Sequence, residues 1–393
     1  MTGRLIIMSN LAHGLLRHGA AGLALLAVCA VFLLLGHPAS AREANETIRI
    51  AAIYSLTGPA AADQEANLTG ARLAVDTANQ QGGVLGRQIE LVIFDNRSMP
   101  IGAKKAAEDA VKQGVVGIVG LPWTNHALAA AKVAQENRVP MISCHATHPQ
   151  VTQIGSHIFR ACYTDTFQGH IMAQFAQKDL DLPTVAILRD ITSDYSMFLA
   201  SVFRDEFLKL GGTISSELDY KPAQMSFDQE IDQIKIHNPV GVFIPGHHES
   251  GLLARLCQER GAGSVYLGGD GWTTGSFLKM GGAKVQRGYY CTSWSREVQI
   301  DSSIRFLAKH GHRQDLNASL ALAYDATSLM IDAIKRAGQA DRQKIRDALA
   351  DTRDFEGVTG TITFDSNGDP VKGAVIMAVQ KGQVKFLKQI SPK

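Results

Sequence analysis

Between Ile48 and about residue 290 the chain alternates between two patterns. Short runs rich in Ile, Val and Leu at 48–54, 88–95, 115–119, 139–143, 184–189, 241–245 and 265–268 predict strands. Between them, apolar positions recur at helical spacing over 65–80, 101–112, 127–136, 167–178, 196–210, 227–237 and 250–260. This order implies βαβ units and largely parallel sheets. Gly82-Gly83 ends the first helix. Pro140 opens its strand, where a missing N–H is tolerated. After residue 288 the alternation loosens. A strand at 288–293 precedes helices at 302–310, 318–337 and 341–351, and strands at 361–364 and 373–380 flank an Asp-Ser-Asn-Gly-Asp-Pro turn. The chain is longer than a single core usually grows, so two lobes are expected. No Pro/Ser linker separates them, so the chain should cross between lobes more than once.

The first 41 residues break this pattern. Arg4 and Arg17 carry positive charge without a nearby acid, 20–36 is unbroken apolar sequence, and Pro38-Ala39-Ser40-Ala41 places small residues for a signal peptidase. This is the order of a secretory signal. Cleavage is expected after Ala41, leaving the protein in the periplasm. Cys29 lies inside the apolar run behind Val28, which does not suit a lipid-attachment box. Removing residues 1–41 takes away two of 39 basic residues and no acidic ones, leaving 37 of each. A balanced charge argues against a nucleic-acid partner and against a polybasic membrane contact.

Four cysteines remain after the signal: Cys144, Cys162, Cys257 and Cys291. An exported protein is free to oxidise them. Cys144 and Cys162, both at strand ends in one lobe, form the best-placed pair, although a chain of this size does not need a disulfide framework. Signatures of catalysis are missing: there is no G-x-G-x-x-G after a strand, no Walker loop, no G-x-S-x-G elbow and no H-E-x-x-H. Cys144-His145 with His148, and His247-His248-Glu249, contain metal-ligating types. Adjacent residues of a strand point to opposite faces, so Cys144 and His145 do not make a ligand pair. No metal, cofactor or enzymatic activity is expected.

A set of landmarks runs in order through the chain: Thr57-Gly58-Pro59, Gly70-Ala71-Arg72, Gly82-Gly83-Val84-Leu85-Gly86-Arg87, Pro140-Met141-Ile142-Ser143 leading to Ala146-Thr147, Phe159-Arg160, and Asp270-Gly271. With them the chain resembles the periplasmic solute-binding proteins of branched-chain-amino-acid-type ABC transporters, over essentially all of 48–386. The resemblance implies an α/β protein of two Rossmann-like lobes, the type I periplasmic binding protein or Venus flytrap fold, joined by three crossover strands. It puts lobe I at 42–165 plus 295–374, and lobe II at 166–294 plus 375–393. It also implies a monomer that holds a small-molecule ligand between the lobes and passes it to an inner-membrane ABC permease. A receptor feeding a sensor or chemoreceptor shares the same fold.

Site residues follow from both readings. Thr124 precedes the helix predicted from residue 127, where a hydroxyl caps the helix or, beside free N–H groups, receives an anion. The resemblance assigns it the ligand carboxylate. Asp270 ends a strand between Gly269 and Gly271. The resemblance gives it the ligand ammonium, shared with the backbone carbonyl and hydroxyl of Ala146 and Thr147. Tyr195 and His248, with His247 as an equal candidate, fall where the family sets aromatic rings over the ligand. Trp123 and Trp272 flank Thr124 and Asp270, for stacking on the ligand or for packing. Two departures alter the pocket wall. Ala61-Ala62-Asp63-Gln64 stands where leucine binders place an aromatic residue, and Cys144-His145 replaces a proline and a small residue. An α-amino-acid frame is expected, with a ligand that is larger, more polar or aromatic; an aromatic acid or an amide such as urea also fits.

Overall fold

The computed structural model describes residues 47–392. Its first sheet is built from β1 (Ile48–Tyr54), β2 (Ile89–Asp95), β3 (Gly117–Gly120), β4 (Met141–Ser143) and β5 (Ile158–Arg160). These are parallel throughout, in the order β2-β1-β3-β4-β5. The connecting helices are α1 (Ala61–Gln80), α2 (Pro100–Lys112), α3 (Thr124–Glu136) and the single turn α4 (Gln150–Gln153). The chain then passes to a second sheet through α5 (Asp165–Gln174), which runs on as a π-helical turn over Phe175–Asp179.

The second sheet takes β6 (Thr184–Asp190), β7 (Thr213–Tyr220), β8 (Gly241–Phe243), β9 (Val265–Gly268) and β10 (Gly288–Thr292), all parallel. Helices α6 (Asp194–Lys209), α7 (Asp228–His237), α8 (Glu249–Arg260) and α9 (Gly275–Met280) connect them. The chain leaves this sheet after Thr292 for α10 (Asp301–His310), α11 (Ala318–Ala337), α12 (Arg342–Ala350) and the hairpin β11 (Phe355–Gly357) with β12 (Gly360–Ile362). It returns as β13 (Ala374–Gln380) and β14 (Gln383–Ile390), which add antiparallel to β10. The chain thus passes three times between the two sheets: after Arg160, after Thr292 and before Ala374.

The runs at 265–268 and 318–337 are observed with the bounds their patterns predict. β5 and β11, three residues each, and the longer β7 and β14 were not predicted. TISSELDY and QVKFLKQI are polar edge strands, whose sequences lack an apolar run because one side lies open and charge discourages pairing with another chain. α9 is too short to show a helical period.

α11 packs on α1 and on the first sheet, with Leu322, Ala326, Leu329, Met330 and Ala333 among the buried side chains. The approach is close: a Cβ on Gly70 of α1 would stand 2.2 Å from the Leu320 carbonyl oxygen. Only glycine permits this crossing. From Ile48 onward the chain packs as one compact body. Among the described residues no helix is long and apolar enough to cross a membrane; the signal segment 1–41 and Cys29 lie outside them. The four described cysteines are all free and buried, so Cys144 and Cys162 are not bridged. Cys144 packs in the first core beside the side chains of Asn67 and Tyr54, and burial pushes its thiol up to about 12.

Candidate functional site

Open parallel sheets present loops at the carboxyl ends of their strands, and ligands bind there, next to the point where strand order reverses. In the first sheet that point lies between β1 and β3; in the second, between β6 and β8. The segments that follow β1, β3 and β4 face those that follow β6, β8 and β9 around one cavity. Its empty space is about 390 Å³, including the part that opens toward solvent.

From the first-sheet side, Trp123, Thr124, His145 and Thr147 line this cavity, as do Asp63 and Asn67 of α1 and Ser319 of α11. Tyr195, His247, Asp270, Gly271 and Thr274 line it from the second. Of the residues singled out as ligand contacts from sequence, the structure brings seven together here: Trp123, Thr124, His145, Thr147, Tyr195, His247 and Asp270.

Thr124 is the first residue of α3, not the residue before it. Trp123 takes the cap position and supplies no side-chain hydrogen bond. The Thr124 hydroxyl is buried and has no partner, so it does not cap the helix. It stands beside the free N–H groups and the positive dipole end of a 13-residue helix.

Asp270 is buried at the end of β9. One oxygen accepts from Gln168 Nε2 at 3.1 Å, and the Asp270 N–H donates to Gln168 Oε1. The other oxygen lies 3.1 Å from His145 Nε2, across the cleft, without the alignment of a full hydrogen bond. The Tyr195 hydroxyl accepts from the Gly271 N–H and also reaches the Asp270 carboxylate. The flanking glycines are required by these approaches: a Cβ at 269 would meet the Tyr195 hydroxyl at 2.5 Å, and one at 271 the Gly246 carbonyl at 2.3 Å. Gln168 Nε2 also donates to Asp165. Burial, and then the charge of Asp270, push the Asp165 carboxyl up to about 8, so that it holds its proton at neutral pH.

Aromatic rings close the mouth. Trp123 stacks on His247 with centroids 4.2 Å apart and planes 1° apart, and His247 stacks in turn on Tyr195 at 5.1 Å. Burial lowers the pKa of His247 and takes that of His126, behind Trp123, down to about 4. Both rings therefore pack as neutral imidazoles. Asn125 crosses the same seam, donating to the Thr192 carbonyl and accepting from the Asp194 N–H, each at 3.2 Å.

Three residues fall elsewhere. Ala146 does not line the cavity, because its carbonyl accepts from the buried Arg160 at 2.8 Å. His248 is turned away from the cavity and its Nδ1 donates to Asp63 at 2.9 Å; the ring over the cavity belongs to His247. Trp272 is core: its Nε1 donates to the Ile244 carbonyl and its ring stacks on Phe277. Sequence reasoning noted Asp63 only as a departure and passed over Asn67, Thr274 and Ser319. Asp63, Gln64 and Asn67 lie buried on a helix face where surface polarity was to be expected, and that is the signal which could have found Asp63.

The profile of the family described as Periplasmic binding protein matches residues 47–383. A Leu/Ile/Val-binding protein homolog of Brucella melitensis is 30% identical over 334 residues, covering 84% of this chain and 90% of the relative. A leucine-binding protein from Thermotoga maritima matches with a TM-score of 0.84 at 32% identity, covering 88% of this chain and 99% of its own. The branched-chain amino acid transporter substrate-binding protein of Streptococcus pneumoniae, solved with isoleucine, gives 0.83 at 29% identity, covering 88% and 100%. The chain belongs to the periplasmic binding protein family, in its leucine-binding-protein-like branch, a family of solute binders and not of enzymes.

Proposed function

We propose that this chain is the substrate-binding protein of an ABC importer, exported by a signal cleaved after Ala41 and working in the periplasm as a monomer. It captures an amino acid or a related small acid or amide in the cleft and delivers it to an inner-membrane permease. Lobe I comprises 42–165 and 295–374, and lobe II 166–294 and 375–393. The observation that carries the reading is the unpartnered Thr124 hydroxyl at a helix N-terminus, lining one cavity with the buried Asp270 carboxylate from the opposite sheet. An anion suits the first and a hydrogen-bond donor or cation the second. A zwitterion held by both bridges the two halves, which gives ligand a preference for the closed form. The amino-acid names of the relatives support the same class.

A thermal-shift screen of refolded protein, residues 42–393, tests this with amino acids, aromatic acids, urea and short amides. A ligand at 100 times its Kd adds about 2.7 kcal/mol, a rise of a few degrees in Tm. A response confined to α-amino acids supports the Thr124–Asp270 frame. A response only to acids without an ammonium group removes the role given to Asp270.

A further inference from the structure

Asp63 is a second carboxylate in the same cavity, and half of it is unused. It lies in the first turn of α1, is 4% exposed and lines the cavity. Its Oδ2 accepts from His248 Nδ1 at 2.9 Å, across the cleft. Its Oδ1 is buried and has no hydrogen-bond partner. Burial alone would raise its pKa, but the His248 hydrogen bond, the nearby Ser276 hydroxyl and the charge of His248 outweigh this and hold it below the usual carboxylate value. An ionised carboxylate only accepts, so Oδ1 calls for a donor. Ser276 stands close enough to stabilise the charge without completing a hydrogen bond to Oδ1. Thr274, two residues before Ser276, lines the same cavity and carries a second buried hydroxyl without a partner. Buried polar atoms are almost always paired, and two unpaired ones facing the same cavity from opposite sides mark where a bound molecule supplies the missing groups.

We infer that Asp63 is a specificity residue whose free oxygen reads a hydrogen-bond donor on the ligand's side group, so that the ligand class is a small acid or amino acid with a hydroxyl, amide or ammonium there. This rests on the cleft reading above. An aliphatic side chain against Oδ1 would strand a charged acceptor in an apolar contact. Threonine, asparagine and 4-hydroxybenzoate satisfy it; their near-isosteres valine, leucine and 4-methylbenzoate do not.

The test is titration calorimetry of these three matched pairs against the wild-type chain and Asp63→Ala. The ligand-free Tm of each protein confirms folding, and Asp63→Asn serves if the alanine variant does not fold. The expected result is a preference of about 10-fold or more for the donor-bearing member of at least one pair, lost in Asp63→Ala. A purely structural role for the His248–Asp63 pair would weaken both members of a pair equally and leave the ratio unchanged, which overturns the inference. Equal or better binding of the aliphatic member to wild type also overturns it, as when a water fills the place at Oδ1; the cleft reading then stands. Binding of no member of the panel removes the cleft reading and the inference with it.

Discussion

Asp270 and Asp63 are built as mirror images and tuned differently. Each is a buried carboxylate that meets a histidine from the opposite sheet: Asp270 meets His145, and Asp63 meets His248. Around Asp270 the protein adds the Gln168 amide, the Tyr195 hydroxyl and a second acid, Asp165, held protonated. Around Asp63 it leaves one oxygen bare. The first site is organised before ligand arrives, and the second waits for a partner. A cleft that grips a common headgroup and sorts side groups needs one of each, because preorganisation serves affinity and an unmet requirement serves discrimination.

The sharpest way to break this comparison is Asp270→Ala. An amino-acid ligand should bind about 2–5 kcal/mol more weakly, the cost of removing one partner of a buried, hydrogen-bonded charge pair. Unchanged affinity by calorimetry takes Asp270 out of the site.

Asp165 comes next. Its folded pKa of about 8 lies above the ordinary value near 3.9, so the folded chain keeps a proton that the unfolded chain releases. Its contribution to stability is complete below about pH 3.9 and is lost as pH rises toward 8. Asp165→Asn should match wild-type Tm near pH 4 and exceed it by several degrees near pH 8. Parallel Tm curves at all pH values would show that folding does not shift the Asp165 pKa.

A smaller effect is expected of Thr124→Val, which should weaken binding by about 1 kcal/mol while the ligand-free Tm stays nearly unchanged. A sharp fall in that Tm would return the hydroxyl to a structural role.

The smallest effect concerns the Asp63 side. The His248 pKa is raised, first by its hydrogen bond to Asp63 and further by the charges of Asp63 and Glu249, against desolvation. Its contribution to closure is complete below the ordinary histidine value near 6.5 and is lost as pH rises through the raised value. Affinity should decline on the alkaline side by less than about 1 kcal/mol, because the pair still meets solvent. His248→Gln should flatten that limb. His247 and His126, with lowered pKa values, act in the opposite sense, and their loss of stability appears as pH falls below about 6.5.

Much of this was legible in one dimension. Val265–Gly268 and Ala318–Ala337 match their predicted bounds because an apolar period is itself the cause of burial. Ala146 was misplaced because Arg160, 14 residues on, claims its carbonyl, and no local pattern announces a buried arginine. His247 and His248 were indistinguishable because one residue of loop rotation decides which ring turns to the cavity.

By itself the sequence determined the alternation of the apolar strands with the longer helices, the family, and the fact that candidate polar residues sit after strand ends. Those features depend on local periodicity and chain connectivity. Only the tertiary structure decided that His145 meets Asp270, that His248 meets Asp63, and that Asp63 keeps a free oxygen. Each pair joins residues more than 100 positions apart, on sheets whose mutual approach is set by packing over the whole molecule.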